Sequence, residues 1–238
     1  MSRFAEGEMS EKAVDTPSWR RVGASRLRNR ETANGQSHYR DRMKRLLDIV
    51  AAATLFVVIS PLLVIIAAVI KLDSKGPILF EQRRRGLFGK PFTMYKFRTM
   101  FAKEQDDHAI KQSQRDDPRV TRFGSLLRRY SLDELPQIFN VLRGDMSLVG
   151  PRPHALGTNI DGQALPEICH QYMLRYAVRP GITGWAQVNG HRGILVESQD
   201  LTIRVDYDIF FIKNSSLMFD VRICAITVLT VFRDRNAF

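Results

Sequence analysis

The 238-residue sequence predicts an α+β protein that is mostly helical, with an N-terminal membrane helix. An uncharged apolar run extends from Ile49 to Ile70 and is long enough to enter a bilayer core. A stretch rich in β-branched and aromatic residues, Gly76 to Met100, is punctuated by Gly and Pro and favours short strands. Beyond it, apolar residues recur at helical spacing beside basic ones, which predicts amphipathic helices.

Both ends of the apolar run are basic, with Lys44 and Arg45 before it and Lys71 after it. Because basic flanks prefer the cytoplasmic side, a straight span would place one flank on the unfavoured side. Ser60-Pro61 lies near the centre, where proline removes a backbone hydrogen bond that Ser60 could replace. From the residues alone, a re-entrant membrane helix broken at Ser60-Pro61 and a single kinked transmembrane helix are equally favoured.

The charge balance indicates an anionic partner. Lys and Arg outnumber Asp and Glu by 36 to 25, and the formal net charge is +11. The apolar run favours a membrane and a phosphorylated substrate over nucleic acid. Two cysteines are too few for a disulfide framework and lack metal-ligand spacing.

Local signals predict the remaining elements. They are a hairpin around Gly86 to Pro91, an amphipathic helix in RVTRFGSLLRRYS, a helix from Leu135 to Leu142 ended by Gly144, a helix in LPEICHQYMLRYAV broken by Pro180-Gly181, and one or two helices between Leu201 and Phe232. The last segment fits a lipid interface or a core position equally well.

The stretch RRYSLDELPQIFNVLRGDMSLVGPRP holds the candidate site. Ser131-x-x-Glu134 fits a capping box at a helix start, which by itself needs no function. A capping box does not explain the arginines around Asp133 and Glu134, such as Arg128 and Arg152 between rigid Gly and Pro breaks. Arginines match phosphate geometry, and carboxylates among phosphates usually need a divalent cation such as Mg²⁺. A carboxylate can also attack phosphorus, so the pattern indicates phosphoryl transfer at a membrane surface.

Four motifs carry a family resemblance: KFRTM, SLDELPQIFNVLRGDMSLVGPRP, RPGITGWAQVNG and YDIFFIKNSSLMFDVRI. In this order they resemble the bacterial sugar transferases, or monotopic phosphoglycosyl transferases, from about Lys44 to the C-terminus. The resemblance implies transfer of a sugar 1-phosphate from a UDP-sugar to undecaprenyl phosphate, with release of UMP. It also favours the re-entrant helix, because family members carry a Ser-Pro break there.

The resemblance also implies roles for individual residues. Asp133 would attack the β-phosphate and form a phosphosugar-aspartate, with Glu134 beside it and both carboxylates in the Mg²⁺ site. The residues expected to bind substrate are Arg128, Arg152, Lys96, Arg98 and Asp208. Among the histidines, His154 is the most favoured to touch substrate because it follows Arg152-Pro153.

The implied organisation is a disordered basic tail (1–40), a membrane re-entrant helix (41–73) and a sugar transferase catalytic domain with interfacial amphipathic helices (74–238). The catalytic domain is expected on the cytoplasmic face of the bacterial inner membrane, in contact with its lipid. Glucose 1-phosphate is the group expected to be transferred, for the assembly of exopolysaccharide or another surface glycan. Galactose and N-acetylated sugars are the alternatives. Downstream glycosyltransferases and a second copy of the chain are the expected protein partners. The alternative function is a non-catalytic basic membrane adaptor of a glycan assembly complex.

Overall fold

A computed structural model of the chain describes residues 35–102 and 117–233, with side chains from residue 41 to 102 and from 117 to 230. The helices are α1 Gly35–Asp73, α2 Arg122–Arg129, α3 Gln137–Arg143, α4 Leu165–Ile168, α5 Trp185–Val188, α6 Ser198–Asn214 and α7 Leu217–Arg233. The strands are β1 Leu79–Arg85, β2 Pro91–Phe97, β3 Ser147–Val149, β4 Asn159–Ile160, β5 Gln163–Ala164 and β6 Gly181–Thr183. Short 3-10 helices cover Leu87–Gly89, Leu132–Glu134 and Tyr172–Ala177.

Helix α1 continues through Ser60-Pro61, so the backbone stays helical where a break was predicted, and the re-entrant course stays a prediction. Pro61 has no N–H to donate to the carbonyl of Val57, four residues earlier. The Ser60 hydroxyl donates to that carbonyl instead, at 2.9 Å. The freed backbone acceptor is therefore satisfied locally, as the sequence predicted, and the helix is not interrupted.

One face of α1 packs along the rest of the protein for most of the helix length. Ala52 and Phe56 join a cluster with β2 and α3, and Ile66 and Ile70 join a second cluster with Phe97 and Leu127. The opposite face is apolar and exposed, for example at Val57 and Val58. Within the apolar 18-residue stretch of this helix, 17% is buried by the rest of the protein. A core helix of a soluble protein would be mostly buried, so this helix suits a membrane by length, composition and exposure.

Polar contacts fix the beginning of α1 to the same body. Lys44 pairs with Asp220 of α7 at 2.7 Å, and Arg45 donates to the Val141 and Leu142 carbonyls at the end of α3. Arg45 thereby adds donors at the last carbonyls of α3, of which Val141 also accepts from the Gly144 N–H at 3.1 Å. The two ends of the apolar segment thus contact one and the same domain.

The predicted hairpin is confirmed. Strands β1 and β2 pair antiparallel from Leu79↔Phe97 to Arg85↔Pro91. The turn places Phe88 at φ 55° and Gly89 at φ 72°, and glycine adopts such left-handed conformations without steric cost. The hairpin delivers Lys96, one residue before the end of β2, to the candidate site.

Two of the quoted motifs meet in a short parallel pair, in which β3 and β6 align Ser147 with Gly181 and Val149 with Thr183. A Cβ on Gly150 would lie 2.4 Å from the Arg179 carbonyl oxygen, and one on Gly181 would lie 2.1 Å from the Gly150 nitrogen. Only glycine permits this approach. The pairing anchors the loop that carries Arg152.

The predicted helices α2 and α3 are confirmed, and Gly144 ends α3 at φ 99°. The stretch LPEICHQYMLRYAV forms α4 and a 3-10 helix rather than one helix. The C-terminal segment forms two helices: α7 buries Ile223 and exposes Met218 and Leu229. The tail prediction falls mostly outside the described residues, although α1 begins at Gly35, inside the predicted 1–40 tail.

Candidate active site

Four separate segments bring together five of the predicted site residues. Lys96 comes from β2, Arg128 from the end of α2, Asp133 and Glu134 from the 3-10 turn, and Arg152 from the loop after β3. All of these side chains are buried or half-buried. The sequence prediction of a basic pocket around two adjacent carboxylates is therefore matched by the geometry.

The turn that holds the carboxylates is not a capped helix start. Ser131 lies in the left-handed region at φ 55°, and its side chain makes no capping hydrogen bond. The capping-box interpretation of Ser131-x-x-Glu134 is therefore wrong. The Glu134 carboxylate instead faces cationic side chains from two other segments.

Glu134 is fully engaged by Lys96 and Arg152. Lys96 Nζ lies 2.7 Å from Oε1, Arg152 Nη1 donates to Oε2 at 3.1 Å, and Arg152 Nη2 donates to Oε1. Burial opposes ionisation of this carboxyl, but the charges of Arg152 and Lys96 more than offset it, so the pKa of Glu134 lies well below its usual value. The bidentate contact also fixes the direction of the Arg152 side chain.

Asp133 is buried with much weaker pairing. Its side-chain oxygen Oδ2 lies 4.0 Å from Lys96 Nζ, beyond hydrogen-bonding distance. Burial raises the pKa of Asp133 to about 6; the positive charge of Lys96 opposes this rise and the negative charge of Glu134 adds to it. The carboxylate is therefore still mostly ionised at pH 7. Asp133 is thus a desolvated anion, which makes it a stronger nucleophile than a hydrated one.

Arg128 completes the basic side of the pocket. Its Nε donates to Thr99 Oγ1 at 2.7 Å, which fixes the guanidinium beside Asp133, whose pKa it lowers. The contact depends on Gly124 of α2, because a Cβ there would lie 2.1 Å from the Thr99 carbonyl oxygen. Helix α2 therefore packs against the KFRTM segment closely enough to place Arg128.

Two arginines that the sequence did not predict, the half-buried Arg84 and the buried Arg175, support the Arg152 loop. Arg84 Nη1 donates to the Pro153 carbonyl at 2.9 Å, and Arg175 Nη2 donates to the Arg152 carbonyl at 2.7 Å. Arg175 Nε also pairs with Asp208 at 2.6 Å. The one available signal for Arg175 was a lone charge within an otherwise apolar helical stretch, YMLRYAV.

Asp208 and Arg98 are not brought to the carboxylates. Asp208 is 2% exposed and pairs with Arg175 behind the Arg152 loop. Arg98 Nη2 donates to the carbonyls of Ile70 and Ser74, at 3.2 and 2.6 Å, where α1 ends. The structure gives Arg98 a helix-capping contact, and its predicted substrate contact stays a prediction.

His154 is half-buried, and its imidazole makes polar contacts with neighbouring side chains. Its Nδ1 lies 3.0 Å from the Tyr172 hydroxyl and 3.1 Å from Arg175 Nη1. Burial, reinforced by the charges of Arg175 and neighbouring arginines, holds the pKa of His154 well below its usual value. The imidazole is therefore neutral at physiological pH.

Among residues 41–102 and 117–230, whose side chains the structure describes, no group of three or more Asp, Glu, His or Cys side chains converges to form a metal site by itself. The donor set nevertheless fits Mg²⁺ bound together with a phosphorylated ligand. Asp133 offers oxygen atoms beyond hydrogen-bonding distance of Lys96 Nζ, and Mg²⁺ is commonly held by one or two carboxylates plus substrate phosphates. Glu134 could contribute only by exchanging part of its contact with Lys96 or Arg152.

Comparison with known proteins identifies the family. The model of the family described as bacterial sugar transferase matches residues 39–234. The chain belongs to this family. Bacterial sugar transferase motifs therefore build the pocket: KFRTM supplies Lys96, SLDELPQ supplies both carboxylates, and GPRP supplies Arg152.

Individual bacterial sugar transferases are similar over most of this chain. The undecaprenyl-phosphate glucose phosphotransferase of Komagataeibacter xylinus is 50% identical over 82% of this chain and 37% of its own length. The UDP-glucose:undecaprenyl-phosphate glucose-1-phosphate transferase of Caulobacter vibrioides is 49% identical over 83% and 73%. The exopolysaccharide production protein PSS of Rhizobium leguminosarum is 42% identical over 79% and 94%.

The chain spans about two fifths of the length of several of these relatives, including the transferases of Escherichia coli and Xanthomonas campestris. The Caulobacter and Rhizobium proteins, by contrast, are matched over most of their own length. The shared region contains all of the residues that form the pocket described above.

Proposed function

We propose that this bacterial sugar transferase moves a sugar 1-phosphate from a UDP-sugar to undecaprenyl phosphate and releases UMP. Relatives at 46 to 50% identity carry names for the glucose 1-phosphate reaction, which makes UDP-glucose the first donor to test. A relative at 45% identity is named for N-acetylgalactosamine phosphate transfer, so a donor screen includes N-acetylated sugars. The product would begin a surface glycan that downstream glycosyltransferases extend.

The unequal pairing of the two carboxylates is the observation that carries the proposal. Glu134 is neutralised by Lys96 and Arg152, whereas Asp133 is buried, ionised and beyond hydrogen-bonding distance of Lys96 Nζ. Burial of an ionised carboxylate without close pairing costs stability, and a non-catalytic adaptor would gain nothing in return. A buried, ionised and loosely paired carboxylate does suit a nucleophile.

The proposed reaction has two displacements at one phosphorus. In the first, an oxygen of the Asp133 carboxylate bonds to the β-phosphorus of the donor while the bond from that phosphorus to the bridging oxygen breaks. UMP leaves with the bond electrons, and the sugar phosphate remains on Asp133 as an acyl phosphate. In the second, a phosphate oxygen of the lipid attacks the same phosphorus and returns Asp133 as a carboxylate.

The cationic side chains stabilise the charge that moves in these steps. Arg128 and Lys96 lie beside Asp133, where the equatorial phosphoryl oxygens would develop charge, and Arg152 reaches the same pocket through Glu134. Mg²⁺, when bound at Asp133 and the donor phosphates, would supply further charge neutralisation for the leaving monophosphate.

We propose further that both ends of α1 lie on the same side of the membrane, with the catalytic domain on the cytoplasmic face of the inner membrane. Helix α1 packs on the domain from Lys44 to Ile70, which a helix separating two aqueous compartments would not do. Its exposed apolar face would lie against lipid. Labelling of single cysteines introduced before and after Pro61 tests this placement: periplasmic accessibility of either flank contradicts it.

The reaction itself is tested with purified protein in detergent. UMP release from UDP-glucose is expected to require both Mg²⁺ and polyprenyl phosphate for multiple turnovers. Asp133→Asn should reduce turnover at least about 1,000-fold because the amide is not a nucleophile at this position. Asp161→Asn, an exposed acidic position, is the matched control and should stay within about twofold of the parent. Substantial turnover by Asp133→Asn would contradict the proposal.

A further inference from the structure

The loop that carries Arg152 has a dedicated internal support. This loop contains only five residues, Gly150 to His154, and no secondary structure of its own. One end is tied by the Gly150 N–H, which donates to the Thr183 carbonyl at 2.9 Å. The Pro151 carbonyl accepts from the Gly181 N–H at 3.1 Å, and the next two carbonyls, of Arg152 and Pro153, accept from side chains elsewhere in the chain.

Arg175 contacts two residues of the loop, Arg152 and His154, whereas Arg84 contacts one, Pro153. Arg175 reaches three partners at once: Nη2 donates to the Arg152 carbonyl at 2.7 Å, Nε pairs with Asp208 at 2.6 Å, and Nη1 lies 3.1 Å from His154 Nδ1. The guanidinium also lies over the Tyr172 ring, 5.1 Å from its centre. A planar fork with five donors can satisfy all of these contacts in one orientation, which a lysine cannot.

Asp208 fixes that orientation from the opposite side. Arg175 and Asp208 are 3% and 2% exposed, so neither can reach a substrate without rearrangement. Asp208 keeps the buried guanidinium charged and directs one edge of it toward the loop. The sequence prediction placed Asp208 among the substrate-binding residues, and its position behind the loop indicates a different task.

We infer that Arg175 and Asp208 are positioning residues that hold the Arg152 loop in the geometry that neutralises Glu134. The pair acts through the Arg152 backbone and touches neither the reacting atoms nor the carboxylates. This inference rests on the proposed function for its effect on catalysis, while its effect on the loop can be measured independently.

The decisive variant replaces the pair by apolar residues, as Arg175→Met/Asp208→Leu. Replacing both members of a buried ion pair is often neutral for stability, whereas removing one member leaves an uncompensated charge. The double variant is therefore expected to fold, with a thermal midpoint near that of the parent. Its kcat should fall about 100-fold because a small displacement of Arg152 weakens the transition-state contacts.

Two readouts separate positioning from a general structural role. The acidic limb of the pH–rate profile should move to higher pH, because displacement of Arg152 removes a positive charge that lowers the pKa of Asp133. Amide hydrogen exchange in peptides covering residues 150–155 should accelerate in the free protein, while exchange in the β1–β2 hairpin stays unchanged.

Two further variants serve as comparisons. Arg175→Lys keeps the charge opposite Asp208 but loses the simultaneous reach to the Arg152 carbonyl, so kcat should fall while the thermal midpoint stays near that of the parent. Asp220→Asn breaks the Lys44 pair, which is of similar length and lies between α1 and α7. This control should change neither the pH profile nor the exchange of residues 150–155.

The outcomes are distinguishable. A parent protein that turns over no UDP-sugar contradicts the proposed function, and hydrogen exchange then still decides the positioning role. A folded double variant that keeps kcat within about threefold, or whose 150–155 segment exchanges as in the parent, overturns the inference.

Discussion

The protein contains two buried acid–base clusters that differ in how completely they are paired. Behind the Arg152 loop, Asp208 pairs with Arg175 at 2.6 Å, and the remaining donors of Arg175 have partners as well. In front of the loop, Glu134 is paired just as closely, but Oδ2 of its neighbour Asp133 lies 4.0 Å from Lys96 Nζ. Complete pairing makes a rigid support, and incomplete pairing leaves one carboxylate available for chemistry.

The difference is also visible in the pKa values. The charges of Arg152 and Lys96 hold the pKa of Glu134 well below its usual value despite burial, whereas burial raises the pKa of Asp133 to about 6. Two adjacent residues of one 3-10 turn therefore have opposite shifts because the cations contact one of them closely. Such divergence between neighbouring acids is typical of functional sites.

The largest effect after loss of Asp133 itself is expected from Glu134→Gln. This change removes the shared partner of Lys96 and Arg152, and kcat/KM should fall about 100-fold as their positions loosen. The acidic limb of the pH–rate profile should move to lower pH, because the charge of Glu134 raises the pKa of Asp133. A pH titration of initial UMP-release rates measures both effects.

This shift is opposite in direction to the one expected for the Arg175→Met/Asp208→Leu variant, so the two variants test the comparison from both sides. Glu81→Gln, on the exposed side of β1, is the control and should leave the profile unchanged. An acidic limb that moves upward in Glu134→Gln would contradict the electrostatic account of the site.

A smaller effect is expected for the free energy of unfolding. Its sign should differ between the two clusters. The folded pKa of Asp133 lies above the unfolded value near 3.9, so ionisation of this carboxyl penalises the folded state. The penalty is absent below about pH 4, grows up to about pH 6 and is complete above it. Asp133→Asn should therefore stabilise the protein at pH 7.5, on the order of 3 kcal/mol, and hardly at pH 4.

Burial raises the pKa of Asp208 as well, against the charge of Arg175, but Asp208 differs from Asp133 in its close ion pair at 2.6 Å. Because Asp208→Asn leaves Arg175 buried without its counter-charge, it should destabilise the protein at neutral pH, by about 3 kcal/mol. Thermal unfolding in detergent at several pH values compares the two asparagine variants directly. Equal signs for both variants at pH 7.5 would show that the two clusters do not differ in pairing as described.

Short sequence signals correctly predicted the elements whose conformation depends on residues close together in the sequence. Gly and Pro marked the β1–β2 hairpin, and Gly144 ended α3 in a left-handed conformation that favours glycine. Proline near the centre of α1 predicted a break, but the Ser60 hydroxyl meets the freed carbonyl and the helix continues. The capping box failed at Ser131 because tertiary ion pairs, and not the local backbone, determine where Glu134 points.

The family motifs predicted the members of the carboxylate cluster, including Lys96 from a distant segment, but the pairing of Arg175 with Asp208 was missed. Asp133, Glu134 and Arg152 lie within one stretch of the sequence, and the predicted cluster is present. Arg175 and Asp208 are 33 residues apart, on a 3-10 helix and on α6, and no periodicity links them. Arg98 was expected to bind substrate because it lies in the KFRTM motif of the resemblance, yet its guanidinium reaches the end of α1.

The central claim is that Asp133 becomes covalently bonded to the sugar phosphate. Intact-protein mass spectrometry after incubation with UDP-glucose and Mg²⁺, without lipid acceptor, measures it most directly. The account predicts a protein population heavier by one phosphohexose, mapped to Asp133, absent from Asp133→Asn and removed when polyprenyl phosphate is added. Rapid product formation by a protein that never gains this mass at Asp133 would contradict it.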